Sequence, residues 1–215
     1  MTRWYDRIAH DLKGPLAPLQ TASYLLKSEG LPPERQRELA DVVDRQARRL
    51  NRMIEELGDY ARASEHRLRL RIEPCPLALV LDLAIGSVPG SAIDPRYDAG
   101  LDSVAVAGDE GRLVQLFASL IAHLQARAPG QTPELRVTAA DGRVRVELLG
   151  AGPSPDAETL TAMFERADPA PHDEGLGLRL MLAYAIAQMH GGSLAAHAPD
   201  GGGLMFVCEL PLAPG

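Results

Sequence analysis

The chain has 215 residues, 46% of them hydrophobic and 24% charged, with a formal net charge of −7. That is the make-up of an ordinary soluble protein, long enough for a small helical module plus a compact core, and its acidic balance excludes coating nucleic acid or anionic membrane as its task. No apolar run reaches the length needed to cross a bilayer, no secretory signal is read, and Cys75 and Cys208 lie far apart without ligand-spaced histidines, so neither direct membrane insertion, a metal site nor a disulfide framework is expected and a reducing cytoplasm is the predicted location.

The first predicted element is a helix from about Trp4 to Lys27. Ile8, Leu12, Pro15, Leu19, Ala22 and Leu26 recur every three or four residues as one apolar stripe, and His10 falls on the opposite side. A neutral imidazole facing away from a core keeps a nucleophilic nitrogen, and Asp11 is placed to hold the proton of the other one. Pro15 has no amide hydrogen for the carbonyl of Asp11, so a bend is expected one turn after the histidine. Taken alone, a His-Asp pair reads more readily as a solvated surface histidine followed by a structural proline.

Pro32-Pro33-Glu34 begins a second helix in which Leu39, Val42, Val43, Gln46, Leu50, Met53, Leu57 and Tyr60 keep one face until about Ser64. The Arg-rich run Arg45 to Arg52 reads as its solvated side. The turn around Ser28 to Leu31 joins the two as an antiparallel hairpin, residues 1–65, which alone has too little to bury. Two hairpins in a four-helix bundle would cover both stripes and predict a homodimer with His10 outside; packing of the stripes on the C-terminal half is the alternative.

Residues 66–215 read as a second domain. Leu68 to Ile72 alternates like a strand, Pro74-Cys75-Pro76 breaks it, and a short apolar helix runs from Leu77 to Ile85. Ser103 to Ala107 is a predicted strand, and Asp109-Glu110 opens a helix carrying Leu113, Leu116, Phe117, Leu120, Ile121 and Leu124. Strands Leu135 to Thr138 and Val144 to Leu148 flank Asp141-Gly142, a strong hairpin signal. A helix from Asp156 to Arg166, a loop from Ala167 to Glu174, a helix opening at Gly175-Leu176-Gly177-Leu178 and ending at His190-Gly191-Gly192, and strands Ser193 to Ala198 and Leu204 to Leu210 complete the chain. The fold class is α+β: a helical hairpin forming a dimeric four-helix bundle, then an α/β sandwich with a mixed sheet on one side and helices on the other.

This order of parts resembles the transmitter core of a bacterial two-component sensor histidine kinase: a dimerisation and histidine-phosphotransfer hairpin followed by an ATP-binding domain of the histidine-kinase, gyrase and Hsp90 type. His10-Asp11-Leu12-Lys13-Gly14-Pro15-Leu16 matches the histidine box, Met163-Phe164-Glu165-Arg166 the phenylalanine box and Glu174-Gly175-Leu176-Gly177-Leu178 the second glycine box. His190 to Leu194 and Gly202 to Phe206 match the closing strands. The resemblance implies that His10 is the phosphoacceptor and that Asp11 is the general base beside it; adjacency to His10 makes the face of Lys13, Gly14 and Ala17 the expected docking surface for a response-regulator receiver domain.

The nucleotide-binding positions implied by the resemblance are His123, Leu148, Gly150, Gly152, Gly175 and Gly177, and here the chain departs from the family. His123 stands where an asparagine carries magnesium, and Ala126 where a lysine meets phosphate. An imidazole is a poor replacement for an oxygen ligand of magnesium. Leu148 stands where an aspartate bonds the adenine amino group; losing a hydrogen bond of about 1.5–3 kcal/mol lowers nucleotide affinity by about tenfold to over a hundredfold. Gly175 and Gly177 leave amides for a phosphate or serve only close packing of helix on sheet. Gly14 replaces the threonine or asparagine that positions water when related kinases dephosphorylate their partner. Three functions remain open: a phosphoryl relay through His10 to and from a response-regulator aspartate without ATP, a divergent ATP-dependent histidine kinase autophosphorylating on His10, and a non-catalytic module sequestering a kinase or regulator. ATP and magnesium are cofactors only under the second.

Overall fold

The computed structural model describes residues 2–28, 30–65, 68–167 and 176–214. These divide inside a helix, between Gly58 and Asp59, into two compact units, with Leu176 grouping with the first.

The first unit holds α1 (Thr2–Leu25) and most of α2 (Pro33–Ser64). α1 runs unbroken through Pro15 and Pro18. Pro15 and Ala22 are buried and Ile8, Leu12 and Leu19 half-buried, whereas Leu26, at the end of the expected stripe, is exposed. α2 starts on proline, whose missing amide costs nothing in a first turn, with Glu34 there to favour the helix dipole. Leu39 and Met53 are its buried anchors in this unit.

The second unit is a two-layer α/β sandwich. Its five-stranded sheet has the order β2-β4-β5-β7-β6, comprising β2 (Arg96–Tyr97), β4 (Glu134–Ala140), β5 (Arg143–Gly150), β6 (Ser193–His197) and β7 (Leu204–Pro211). The β2–β4 pair is parallel and the others antiparallel, so the sheet is mixed. Asp141 and Gly142 both have positive φ, 53° and 72°, as the tight turn between β4 and β5 requires. Along β5 the inward positions Val144, Val146, Leu148 and Gly150 alternate with Arg145, Glu147 and Leu149. The inward face meets α3 (Leu77–Ser87), α4 (Glu110–Arg127) and α6 (Arg179–Met189), with α4 between the other two. Asp109 caps α4, its side chain accepting from the Arg112 amide at 3.2 Å.

Three boundaries differ from expectation. Leu68 to Ile72 forms no strand; β1 is Glu73–Pro76, including both prolines, paired antiparallel with β3 (Ala105–Gly108). In a two-stranded ribbon both strands are edges, and an edge tolerates a missing amide hydrogen. The expected helix from Asp156 to Arg166 contracts to α5 (Ala157–Ala162), capped by Asp156. The helix expected to open at Gly175 begins instead at Arg179, because Gly177 has φ +72°, outside helical space.

Candidate functional site

His10 lies on the exposed side of α1, its side chain 88% accessible, with Nδ1 3.2 Å from the Asp11 carboxylate, itself 29% accessible. A carboxylate only accepts at neutral pH, so this contact makes Nδ1–H the donor and leaves the lone pair on Nε2. The imidazole is thereby oriented by Asp11 and lies in open solvent. Lys13, Gly14 and Ala17 follow His10 by three, four and seven residues, which places them on the same helix face, and all three are exposed. A Cβ added at Gly14 would meet nothing within 4 Å, so this face is unobstructed beside the histidine.

In the second unit, the positions expected to hold nucleotide lie on α4, at the end of β5 and before α6. Leu148 is fully buried, opposite Leu135 of β4 and Phe206 of β7. It is a core residue. The His123 ring meets Phe206 edge-on, with centroids 5.8 Å apart and planes at 67°. Phe164, from the phenylalanine box, stacks on Tyr184 at 5.3 Å and lies 6.2 Å from Phe206. His123, Phe206, Phe164 and Tyr184 thus follow one another through ring contacts. Gly150 is covered by Leu124: a Cβ there would come within 2.7 Å of the leucine's Cδ2. Gly152, with φ +110°, turns the chain after β5, and Arg127 donates to the Pro153 carbonyl at 2.8 Å. Gly177 keeps its positive φ before α6; Gly175, like Glu174, lies outside the described residues. Leu148 and His123 offer neither carboxylate nor amide oxygen, so these residues do not fit a magnesium-bound nucleotide.

Two polar clusters in this unit have no local sequence signal. Asp59, at the end of α2, accepts from Arg112 at 2.7 Å and Gln115 at 3.1 Å, both on α4, and from Arg62 at 2.6 Å. Burial pushes its carboxyl up, but these hydrogen bonds outweigh that and hold it below its ordinary value. His190, read from sequence only as a helix end, is buried; its Nδ1–H donates to the Ile186 carbonyl at 2.7 Å and its Nε2 accepts from the Asp109 amide at 3.0 Å. Burial lowers its pKa despite the opposing effects of the Ile186 bond and the Asp109 charge. Asp59 pairs with residues more than fifty positions away and His190 with one 81 away, separations at which only the fold brings partners together.

Residues 2–66 match the family described as His Kinase A (phospho-acceptor) domain, and residues 108–214 the family described as histidine kinase-, DNA gyrase B-, and HSP90-like ATPase. Sensor protein ChvG of Rhizobium meliloti is 31% identical over 249 residues, covering 99% of this chain and 42% of that protein. The chain thus spans less than half the length of this curated relative. Among solved structures, full-length ShkA in complex with AMPPNP superposes with a TM-score of 0.72 at 21% identity, covering 100% of this chain and 46% of that one. Histidine kinase ThkA, in complex with response regulator protein TrrA, gives 0.71 at 18% identity, covering 98% and 61%. At these identities the structural likeness establishes the fold.

Proposed function

Because the chain belongs to the transmitter cores of two-component sensor histidine kinases, with a phospho-acceptor hairpin and an ATPase-type domain in that order, we propose that it relays phosphoryl groups through His10, to and from a receiver-domain aspartate. The observation that carries this reading is the exposed His10 imidazole oriented by Asp11 through Nδ1. His10 Nε2 attacks phosphorus of the partner's aspartyl phosphate; the P–N bond forms, the P–O bond breaks, and the carboxylate leaves with the electron pair. Asp11 retains the Nδ1–H bond and balances the positive charge that develops on the ring. Return to a second aspartate is the same exchange reversed. Phosphoryl transfer needs in-line placement and charge neutralisation more than covalent help from the carrier, and the charge on the transferring group falls to the partner's own metal site.

The open face of Lys13, Gly14 and Ala17 is the surface we assign to docking, and the ThkA–TrrA complex supports a receiver as the partner. A homodimer through the hairpin is part of the proposal, because Leu16, Tyr24 and Ile54 are 38%, 74% and 58% exposed in one chain. So is the cytoplasmic setting; no helix among the described residues is long and apolar enough to cross a membrane.

A second reading, autophosphorylation from ATP, is favoured by the ATPase-type domain itself and by the AMPPNP complex of ShkA. Against it stand the buried Leu148 and the His123–Phe206 contact. Receiver-phosphate and ATP offered in parallel to wild type and His10→Gln separate the two, and label from neither source supports a sequestering module instead.

A further inference from the structure

His190 is buried at the C-cap of α6, 5% exposed, and its ring is fastened at both nitrogens. Nδ1–H donates to the Ile186 carbonyl one turn back at 2.7 Å, and Nε2 accepts the Asp109 amide, at the N-cap of α4, at 3.0 Å. The ring thus joins the end of one core helix to the start of another. Asp109 is a junction in its own right: Oδ1 caps the Arg112 amide at 3.2 Å and Oδ2 accepts the Arg71 amide at 3.0 Å. Gly108, the last residue of β3, lies against the ring; a Cβ there would come 3.0 Å from His190 Cδ2. The Gly108 carbonyl accepts from the Cys75 thiol at 3.1 Å. Cys75, itself buried, lines a surface hollow of about 320 Å³ together with Arg71, Glu73, Asp109 and Glu110.

An imidazole bonded in this way has no vacant nitrogen. A proton arriving on Nε2 turns the acceptor into a donor that faces the Asp109 N–H, so the protonated ring and the closed contact exclude one another. The neighbouring charges divide. The Asp109 carboxylate favours the proton, and burial opposes it more strongly. Glu110 and Arg112 follow Asp109 on α4, Glu73 stands opposite Gly108 across the β1–β3 ladder, and Arg143 of β5 donates to the Gly191 carbonyl beside the ring at 3.1 Å.

We propose that His190 is an acid-released latch: uptake of one proton at Nε2 breaks its bond to the Asp109 amide and opens the Gly108–Asp109 corner, uncovering the Cys75 thiol while the rest of the sandwich stays folded. Water then satisfies the freed amide and the imidazolium. Whether His10 takes its phosphoryl group from a receiver or from ATP has no bearing on the latch.

Thiol labelling of the full chain tests this, with 4,4′-dithiodipyridine as the probe and every rate divided by that of free glutathione at the same pH. Mass spectrometry assigns the label to Cys75 or to Cys208, which is 1% exposed and reports unfolding of the whole domain. Between about pH 7.5 and about pH 5.5, the normalised rate of Cys75 should stay flat above about 6.5 and then rise by up to about tenfold per pH unit, the limit for one proton. Cys208 should remain far slower throughout. His190→Gln, which keeps one acceptor and one donor but takes no proton, should show no rise at Cys75. In wild type, the exchange protection of the Asp109 amide, followed by NMR, should fall in step with the gain at Cys75, a reading that does not require the variant to fold. Label entering both cysteines at one rate would replace the latch by whole-domain unfolding. A Cys75 rate independent of pH, a rise that persists in His190→Gln, or an Asp109 amide that stays protected while Cys75 opens would each overturn the proposal.

Discussion

Replacing Leu148 by aspartate restores the carboxylate that an adenine-binding site of this family would use, and the structure predicts failure. Leu148 is fully buried between Leu135 and Phe206, so losing its burial removes about 2–3 kcal/mol. The new carboxyl would sit among the apolar side chains of the core cluster; a pKa raised by about three units adds about 4 kcal/mol at pH 7. Together that is about 6 kcal/mol, comparable with the whole stability of a domain this size. The sign with pH follows from the raised folded-state pKa: the penalty is greatest above it and shrinks as pH falls toward the unfolded value. Urea unfolding should show a deficit at pH 5 smaller by about 2–3 kcal/mol than at pH 7. Leu148→Met, conserving volume, should cost less than about 1.5 kcal/mol. If Leu148→Asp unfolds at the wild-type midpoint and binds magnesium-ATP in calorimetry, position 148 faces a nucleotide pocket and the core assignment is wrong.

At Gly14, alanine should raise thermal stability by about 1 kcal/mol, because a helix-interior glycine is replaced where a Cβ meets nothing; leucine at the same position should fold normally yet slow receiver-to-His10 transfer, and unchanged rates would remove this face from the docking surface. His190, with its folded pKa below the ordinary 6.5, contributes stability fully above that value and loses it as pH falls through 6.5 toward the folded pKa. Unfolding free energies measured from pH 8 to pH 5 should therefore decline below about 6.5 at up to about 1.4 kcal/mol per pH unit, and His190→Gln should lack that component; an identical slope in the mutant would contradict the buried neutral tautomer between Ile186 and Asp109.

Much of the fold is legible where local chemistry and tertiary packing agree. Asp141-Gly142 marks a tight turn because both positions need positive φ, and Asp109 marks the start of α4 because its carboxylate caps the Arg112 amide. The same alternation that marks β5 as a strand puts Leu148 on its inner face. Legibility ends where an edge or a distant partner decides. Pro74 and Pro76 read as strand breakers, yet a two-stranded ribbon leaves room for both, and the alternation of Leu68 to Ile72 finds no strand to pair with. β2, with two residues, is too short to carry a pattern. His10, Lys13, Gly14 and Ala17 fall on one exposed face because helical spacing alone arranges them, with the half-buried Asp11 next to His10 in the chain. The Asp59–Arg112 pair and the Asp109–His190 bond depend on elements that meet only after the sandwich closes.

The most direct test of the account is phosphoryl transfer to His10 from two donors in parallel. Purified wild type and His10→Gln are each incubated with radiolabelled magnesium-ATP and with a radiolabelled phosphorylated receiver domain. The account predicts label on wild type from the receiver, none from ATP, and none on the variant. Label reaching His10 from ATP would contradict the relay reading and establish a working kinase despite Leu148 and His123.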